Sequence, residues 1–194
     1  MRRNTNNYTT QSVRSCGRCV GFTRAKRRCT RNTCKYGPMC WQHTRNKYGV
    51  NVKKSRIDNG GLGLFAHKDL AANRFIPYKG KRISTARYDQ MFPDDYTMEY
   101  AVDDSMANVT IDASKTNSTV ARYANDGRNR RRNNAELANA DVDGDGEDDG
   151  VFLRTTRNIR AGEEILTDYG DDYWTGQKAP AWLNKRHRRW LLSS

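Results

Sequence analysis

Between Gly60 and Trp174 the apolar positions come in short clusters separated by glycine or polar turns, which is the pattern of strands rather than of long helices. Leu62-Gly63-Leu64-Phe65-Ala66 leaves the turn Gly60-Gly61 and reads as a short strand. Phe75-Ile76-Pro77-Tyr78 predicts a second, ending before Gly80. Tyr96 to Val102 and Val109 to Asp112 predict two more around a turn at Asp103-Asp104, and Val151 to Arg157 a further one. The last is Ile165-Leu166, entered from the turn Ala161-Gly162 and followed by Tyr169 and Gly170, so that Tyr169 stands at a strand end where the backbone approaches closely. Helical spacing is confined to two places. One is Thr85 to Phe92, stopped before Pro93; the other is the tail Pro180 to Leu192, where Pro180 suits a first helical position and Leu183, Trp190 and Leu191 lie near one face. Short strands with little helix between them predict a mostly β domain with short helices.

Composition divides the chain further. Residues 1–15 are rich in Asn, Thr and Arg and read as a disordered basic arm. Residues 16–46 hold every cysteine, 47–54 form a basic linker, 55–174 the β domain and 175–194 the terminal helix. No run approaches the roughly 18 apolar residues of a membrane span, and the polar residues after Arg2-Arg3 leave no signal-peptide core, so the chain is expected to be soluble and intracellular. Lysine and arginine number 35 against 22 acidic residues, a formal charge of +13, and the first acidic residue is Asp58. With the later runs Arg128 to Arg132 and Lys185 to Arg189, that excess points to nucleic acid or chromatin as a neighbour.

The five cysteines lie between Cys16 and Cys40, an odd and clustered set that suits metal ligation better than disulfides. Cys16-Gly-Arg-Cys19 and Cys40-Trp-Gln-His43 are chelating pairs, each able to grip a tetrahedral zinc from one tight turn, and Cys29 and Cys34 add two candidates for what needs only four ligands. Cys19-Val-Gly-Phe-Thr23, Arg28-Cys29 and Cys40-x-x-His43 resemble a small zinc-finger type with the order Cys-x-Gly-x-Thr, Cys, Cys-x-x-His. The resemblance implies Cys19, Cys29, Cys40 and His43 as ligands of a structural zinc, with Cys16 and Cys34 as substitutes. Asp141-x-Asp143-x-Asp145-Gly146 mimics half a calcium loop, but Phe152 occupies the twelfth position where a carboxylate belongs. A hairpin tip, or an acidic lip for a basic substrate, suits residues 141–149 better.

Five motifs in order, Gly61-Leu62-Gly63-Leu64-Phe65-Ala66, Tyr78-x-Gly80, Ile111-Asp112-Ala113, Ala121-Arg122-Tyr123-x-Asn125 and Gly162-Glu163-Glu164-Ile165 through Asp168-Tyr169-Gly170, resemble the SET domain of protein-lysine methyltransferases. The resemblance implies a SET-type fold of small β-sheets around a pseudoknot, in which the closing segment threads the Asn-bearing one, so that Asn125 and Tyr169 meet. It implies S-adenosylmethionine as cofactor, received by Gly61, Leu62 and Gly63 and hydrogen-bonded by Asn125, with Arg122 and Asp126 beside it. It makes Tyr169 the catalytic tyrosine and Tyr78 and Tyr123 the aromatic residues that shape the cofactor and lysine pocket. The substrate implied is a basic protein, a histone tail above all, in the nucleus or on chromatin.

Three departures from that pattern matter. Relatives carry Asn-His-Ser-Cys where this chain has Asn125-Asp126-Gly127, so the packing of the histidine is lost. Thr167 stands two residues before Tyr169, where an aromatic commonly limits the number of methyl groups, and a small residue there implies a roomier pocket. No cysteine follows Cys40 to build a zinc lid after the domain, which leaves Tyr173, Trp174 and the terminal helix to cover the site, with Trp174 on the adenine or the lysine channel. The alternative is an inactive SET-like, zinc-containing protein that binds chromatin or nucleic acid, with Asp126 and Thr167 as marks of decay.

Overall fold

Four small sheets carry the fold in the computed structural model, which describes residues 17–33, 36–84, 97–102, 106–113, 118–142 and 150–170. The first pairs β1 (Gly17–Arg18) with β2 (Asn32–Thr33). Helix α1 (Trp41–Tyr48) follows, closed by Gly49 in the left-handed conformation at φ 71°, with Arg45 and Lys47 in the last turn where cations suit the helix dipole. The sequence pattern did not predict this helix, whose eight residues bury Thr44 and which starts directly after the buried Cys40.

The sheet that positions the site has the order β3 (Val50–Lys54), β4 (Leu62–Ala66), β12 (Glu164–Thr167), β9 (Asn125–Asp126). Residues 50–54 are therefore a strand and not part of a linker. Val50 and Val52 alternate inward at 0% and 4% exposure, opposite Ala66 and Leu64, and Lys53 and Lys54 charge the outer end of an edge strand, where lysine discourages further pairing. A third sheet joins β10 (Ala135–Asn139), β11 (Val151–Thr155) and β5 (Phe75–Pro77), all antiparallel. Strand β10 escaped the sequence reading because Ala-Glu-Leu-Ala-Asn has weak β propensity, yet it pairs with β11 over its whole length. Phe152, at the twelfth position of the calcium-like stretch, faces Pro77 within this sheet and meets Phe75 edge-on at 5.8 Å. The fourth sheet has the order β6 (Lys81–Ser84), β8 (Met106–Asp112), β7 (Thr97–Val102); β7 and β8 lie where the alternation predicted strands, and β6 was not predicted.

The main core joins Val50, Leu64, Ile76, Leu153, Ile159 and Ile165 with Tyr78, Tyr123 and the 3-10 turn Ala121–Tyr123. A small second core of Cys19, Cys29, Met39 and Cys40 sits in the cysteine segment, and Tyr48 packs against both. The Tyr36 hydroxyl donates to Asn51 Oδ1 at 2.9 Å, and Gly37, at φ 74°, lies so close to Thr119 that a Cβ there would meet its Cα at 3.3 Å. The cysteine segment is thereby fastened to strand β3 and to the stretch that leads into Asn125. The helices expected at Thr85 to Phe92 and Pro180 to Leu192, the covering residues Tyr173 and Trp174, and most of the acidic stretch 141–149 lie outside the described residues.

Candidate functional site

Strand β12 is held from both sides by distant parts of the chain. On one edge it runs antiparallel to β4, Ile165 opposite Leu64; on the other it runs parallel to β9, with Leu166 opposite Asn125 and Thr167 opposite Asp126. Asn134, 2% exposed, completes the join with its side chain acting as a strand. Its Nδ2 donates to the Glu164 carbonyl at 2.8 Å and its Oδ1 accepts the Leu166 N–H at 2.9 Å, so both polar atoms of the buried amide are hydrogen-bonded. The loop from Asn125 to Asn134 thus grips the segment that ends in Tyr169, which brings the Asn-bearing and closing segments together as expected.

Tyr169 bonds to the residues on either side of Asn125. Its hydroxyl donates to the Ala124 carbonyl at 2.9 Å, and its backbone N–H donates to Asp126 Oδ2 at 2.8 Å. The other Asp126 oxygen accepts the N–H of Arg128, a residue in the left-handed conformation at φ 55°. Burial lowers the affinity of the Arg128 guanidinium for its proton, and the charges of Asp126 and Asp58 work against that shift. A carboxylate at position 126 therefore does for the main chain what a histidine ring cannot: it accepts two N–H groups at once. Asn125 itself reaches the glycine turn, its Nδ2 donating to the Leu62 carbonyl at 3.0 Å.

That turn is open in front and backed behind. Gly61 has φ 60°, and a Cβ there would meet nothing within 4 Å. Leu62 is 40% exposed beside it. Behind, a Cβ on Gly63 would fall 2.2 Å from Glu164 Oε1. Glu164 is buried and tied in place, accepting the Ser55 hydroxyl at 2.6 Å and the Arg56 N–H at 2.8 Å. Its role was hidden in the sequence, where it is one of two adjacent glutamates; Glu163 points outward to Arg157 at 3.0 Å.

Tyr78 and Tyr123 are buried in the main core rather than at a surface, 7% and 5% exposed. The Arg122 guanidinium, also buried, lies 5.3 Å from the Tyr123 ring, a cation against an aromatic face. Thr167 is 1% exposed and its hydroxyl has no hydrogen-bond partner among the described residues. A cleft between the cysteine segment and the core, lined by Tyr36, Met39, Tyr48, Thr119 and Val120, includes none of these site residues.

The cysteine segment brings its own four residues together: the donor atoms of Cys19, Cys29, Cys40 and His43 all lie within 4.8 Å of one another. His43 Nδ1 stands 3.4 Å from Cys19 Sγ and 3.2 Å from Cys40 Sγ. A tetrahedral zinc with bonds near 2.0–2.3 Å holds its ligands about 3.3–3.8 Å apart, so the donor set fits. The outer nitrogen, Nε2, lies 2.9 Å from the Phe22 carbonyl, which as an acceptor leaves Nδ1 with its lone pair toward the sulfurs. Gly21 makes room for the ring, since a Cβ there would fall 2.5 Å from His43 Cγ. Burial opposes ionisation of Cys40, but hydrogen bonds to its sulfur, the backbone N–H groups of His43 and Gln42 among them, outweigh it and lower the thiol to about 6. Cys16 and Cys34 lie outside the described residues.

A family model for the SET domain matches residues 61–170, more than half of the 194-residue chain. Two solved structures are similar, one of ATXR5 in complex with mono-methylated histone H3.1 and one of the ATXR5 SET domain in complex with di-methylated histone H3. Both are 22% identical with a TM-score of 0.49 and cover 62% of this chain. The chain in turn spans 56% and 57% of theirs. No curated protein matches it.

Proposed function

We propose, on the premise that this chain belongs to the SET domain family, that it transfers a methyl group from S-adenosylmethionine to the side-chain amine of lysine in a basic protein, a histone tail being the foremost candidate. The observation that carries this reading is the meeting of three distant motifs: Tyr169 on the carbonyl of Ala124 and the carboxylate of Asp126, and Asn125 on the turn at Leu62.

S-adenosylmethionine, when bound, supplies a methyl group on a positively charged sulfur. The open turn Gly61-Leu62-Gly63 suits it, because Gly61 keeps its front clear of side-chain atoms and Asn125 fixes the turn against β9. Arg122, Asn125 and Asp126 stand in the same segment, with Trp174 proposed as a cover. Tyr169 commits its phenolic proton to Ala124, so it meets an incoming amine as an acceptor that can orient an N–H. With an ordinary pKa near 10 a tyrosine is no strong base, and lysine, near 10.4 in water, has to lose its proton before it can attack. In this reading an apolar lysine channel beside Tyr78 and Tyr123, both buried, would lower that value by desolvation and keep water out. The aligned displacement then depends on how well Tyr169 is held.

Zinc bound by Cys19, Cys29, Cys40 and His43 serves structure in this proposal, as a closed four-ligand site with no open position. A chromatin location and a histone partner follow from the same reading, with Asp141 at the start of an acidic lip. Incubation of the full chain with S-adenosylmethionine and core histones, followed by mass spectrometry, tests it. New methyl groups on lysine side chains support the proposal; methyl groups on arginine alone, or none, contradict it.

A further inference from the structure

The cysteine segment presents an unusual outer surface. It contains no acidic residue, since Asp58 is the first in the chain. The ion pairs among the described residues belong to Arg130, Arg154 and Arg157, so none of the segment's cations has an acidic partner there. Some of those cations are structural: Arg18 Nε donates to the Cys29 carbonyl at 3.0 Å and Arg28 Nε to the Cys19 carbonyl at 3.2 Å, each latching the opposite strand. Others point out. The turn Thr23 to Arg27 is closed by the Thr23 N–H on the Arg27 carbonyl at 2.8 Å and by the Lys26 N–H on the Thr23 carbonyl at 3.0 Å, with Lys26 at φ 55°. Arg24, Lys26 and Arg27 are exposed at its tip.

Charge alone would describe a solvated surface, but three of the exposed large apolar side chains fall on this segment as well. Phe22 is 64% exposed, Val20 48% and Trp41 42%. Phe22 sits at the base of the basic tip, and its carbonyl meets the outer nitrogen of His43, so the metal cluster fixes where the ring is displayed. Trp41 is flanked by the Arg45 guanidinium at 4.7 Å and the Arg31 guanidinium at 5.4 Å from its ring. Displayed aromatic rings set among cations with no acidic partner among the described residues are the chemistry that binds bases by stacking and phosphates by charge. An acidic protein surface would use the cations but would leave Phe22 unexplained.

We infer that this face of the cysteine segment binds single-stranded nucleic acid, with Phe22 and Trp41 stacking on bases and Arg24, Lys26 and Arg27 on phosphates. The inference does not rest on methyl transfer, because none of these residues takes part in the site around Tyr169.

Fluorescence anisotropy of the full, zinc-loaded chain with labelled oligothymidylate, oligouridylate and a duplex of matched length tests it. The two single strands are expected to bind more tightly than the duplex, and preference between them separates DNA from RNA as the natural ligand. Phe22→Ala keeps the backbone carbonyl that meets His43 and is expected to weaken binding about 5- to 150-fold, the equivalent of one lost base stack of about 1–3 kcal/mol. Replacing Arg24, Lys26 and Arg27 by Gln is expected to flatten the slope of log K against log salt by about 2, at roughly 0.7 for each phosphate contact. Circular dichroism and zinc content confirm that each variant is folded. Binding that ignores Phe22→Ala and Trp41→Ala in folded variants, a preference for duplex, or binding only to an acidic polypeptide such as polyglutamate overturns the inference.

Discussion

Asp126 and Tyr169 are joined by their unlike parts, the side chain of one to the main chain of the other, at 2.8 Å. Asp126 is 5% exposed and its second oxygen is taken by the Arg128 N–H, so the carboxylate is a buried anchor for the point where the chain leaves β12. Position 126, the conspicuous departure from the SET pattern, is thereby a different solution to holding the tyrosine. Asp126→Asn keeps the shape but turns one acceptor into a donor facing an N–H, and Asp126→Ala removes both acceptors. Each is expected to cost about 1–3 kcal/mol of stability. Because Asp126 positions Tyr169 rather than touching the amine, kcat should fall more than KM for the protein substrate rises. Thermal melts with steady-state kinetics check this; a variant with full stability and full kcat would remove the anchoring role.

Gly63 and Glu164 compete for one volume. Gly63→Ala is expected to destabilise by about 1–3 kcal/mol through displacement of a buried, hydrogen-bonded carboxylate. In a Glu164→Ala background the same change should cost little, giving a coupling energy of about 1 kcal/mol or more in a double-mutant cycle. Additive losses, read from urea melts, would show that Glu164 does not back the turn.

Thr167 carries a buried hydroxyl with no partner among the described residues. Thr167→Val removes that group at nearly constant volume and is expected to leave stability unchanged or raise it by about 1 kcal/mol. A small residue at 167 also predicts a pocket that accepts more than one methyl group. Mass spectrometry of the reaction products at long times should show di- or trimethyl-lysine, and a product that stops at monomethyl-lysine contradicts the roomy-pocket reading.

The cysteine cluster predicts one zinc per chain in protein purified without chelator, measured by atomic absorption. Stripping it should lower the melting temperature and weaken methyl transfer, because Gly37 packs on Thr119 at the head of the segment that carries Asn125. Added zinc should restore both. Metal-free protein with an unchanged melting curve would refute the structural role.

Much of this architecture was legible in the chain. Leu62 to Ala66, Phe75 to Pro77 and Ile165-Leu166 announced strands because glycine or polar turns bound short apolar runs, and all are found. Residue type and spacing announced a metal cluster with six candidate ligands, and the resemblance to a small zinc-finger type singled out Cys19, Cys29, Cys40 and His43, whose donor atoms meet. What stayed hidden depended on contacts across the chain. Lys53 and Lys54 looked like linker because nothing local says that an edge strand tolerates charge on its outer end. Asn134 carried no local signal, although its amide replaces a strand's hydrogen bonds. Asp126 counted as a mark of decay in the alternative reading, since the N–H groups it accepts come from Tyr169 and Arg128 only after folding.

The central claim is that Tyr169 acts in methyl transfer through its hydroxyl. Tyr169→Phe keeps the ring and the backbone bond to Asp126 and removes only the group that meets Ala124. With methyl-labelled S-adenosylmethionine and core histones, wild-type protein is expected to label histone, and the folded variant to retain cofactor binding while losing about 100-fold or more in rate, as for an essential orienting group. Labelling at the wild-type rate by Tyr169→Phe would contradict the account.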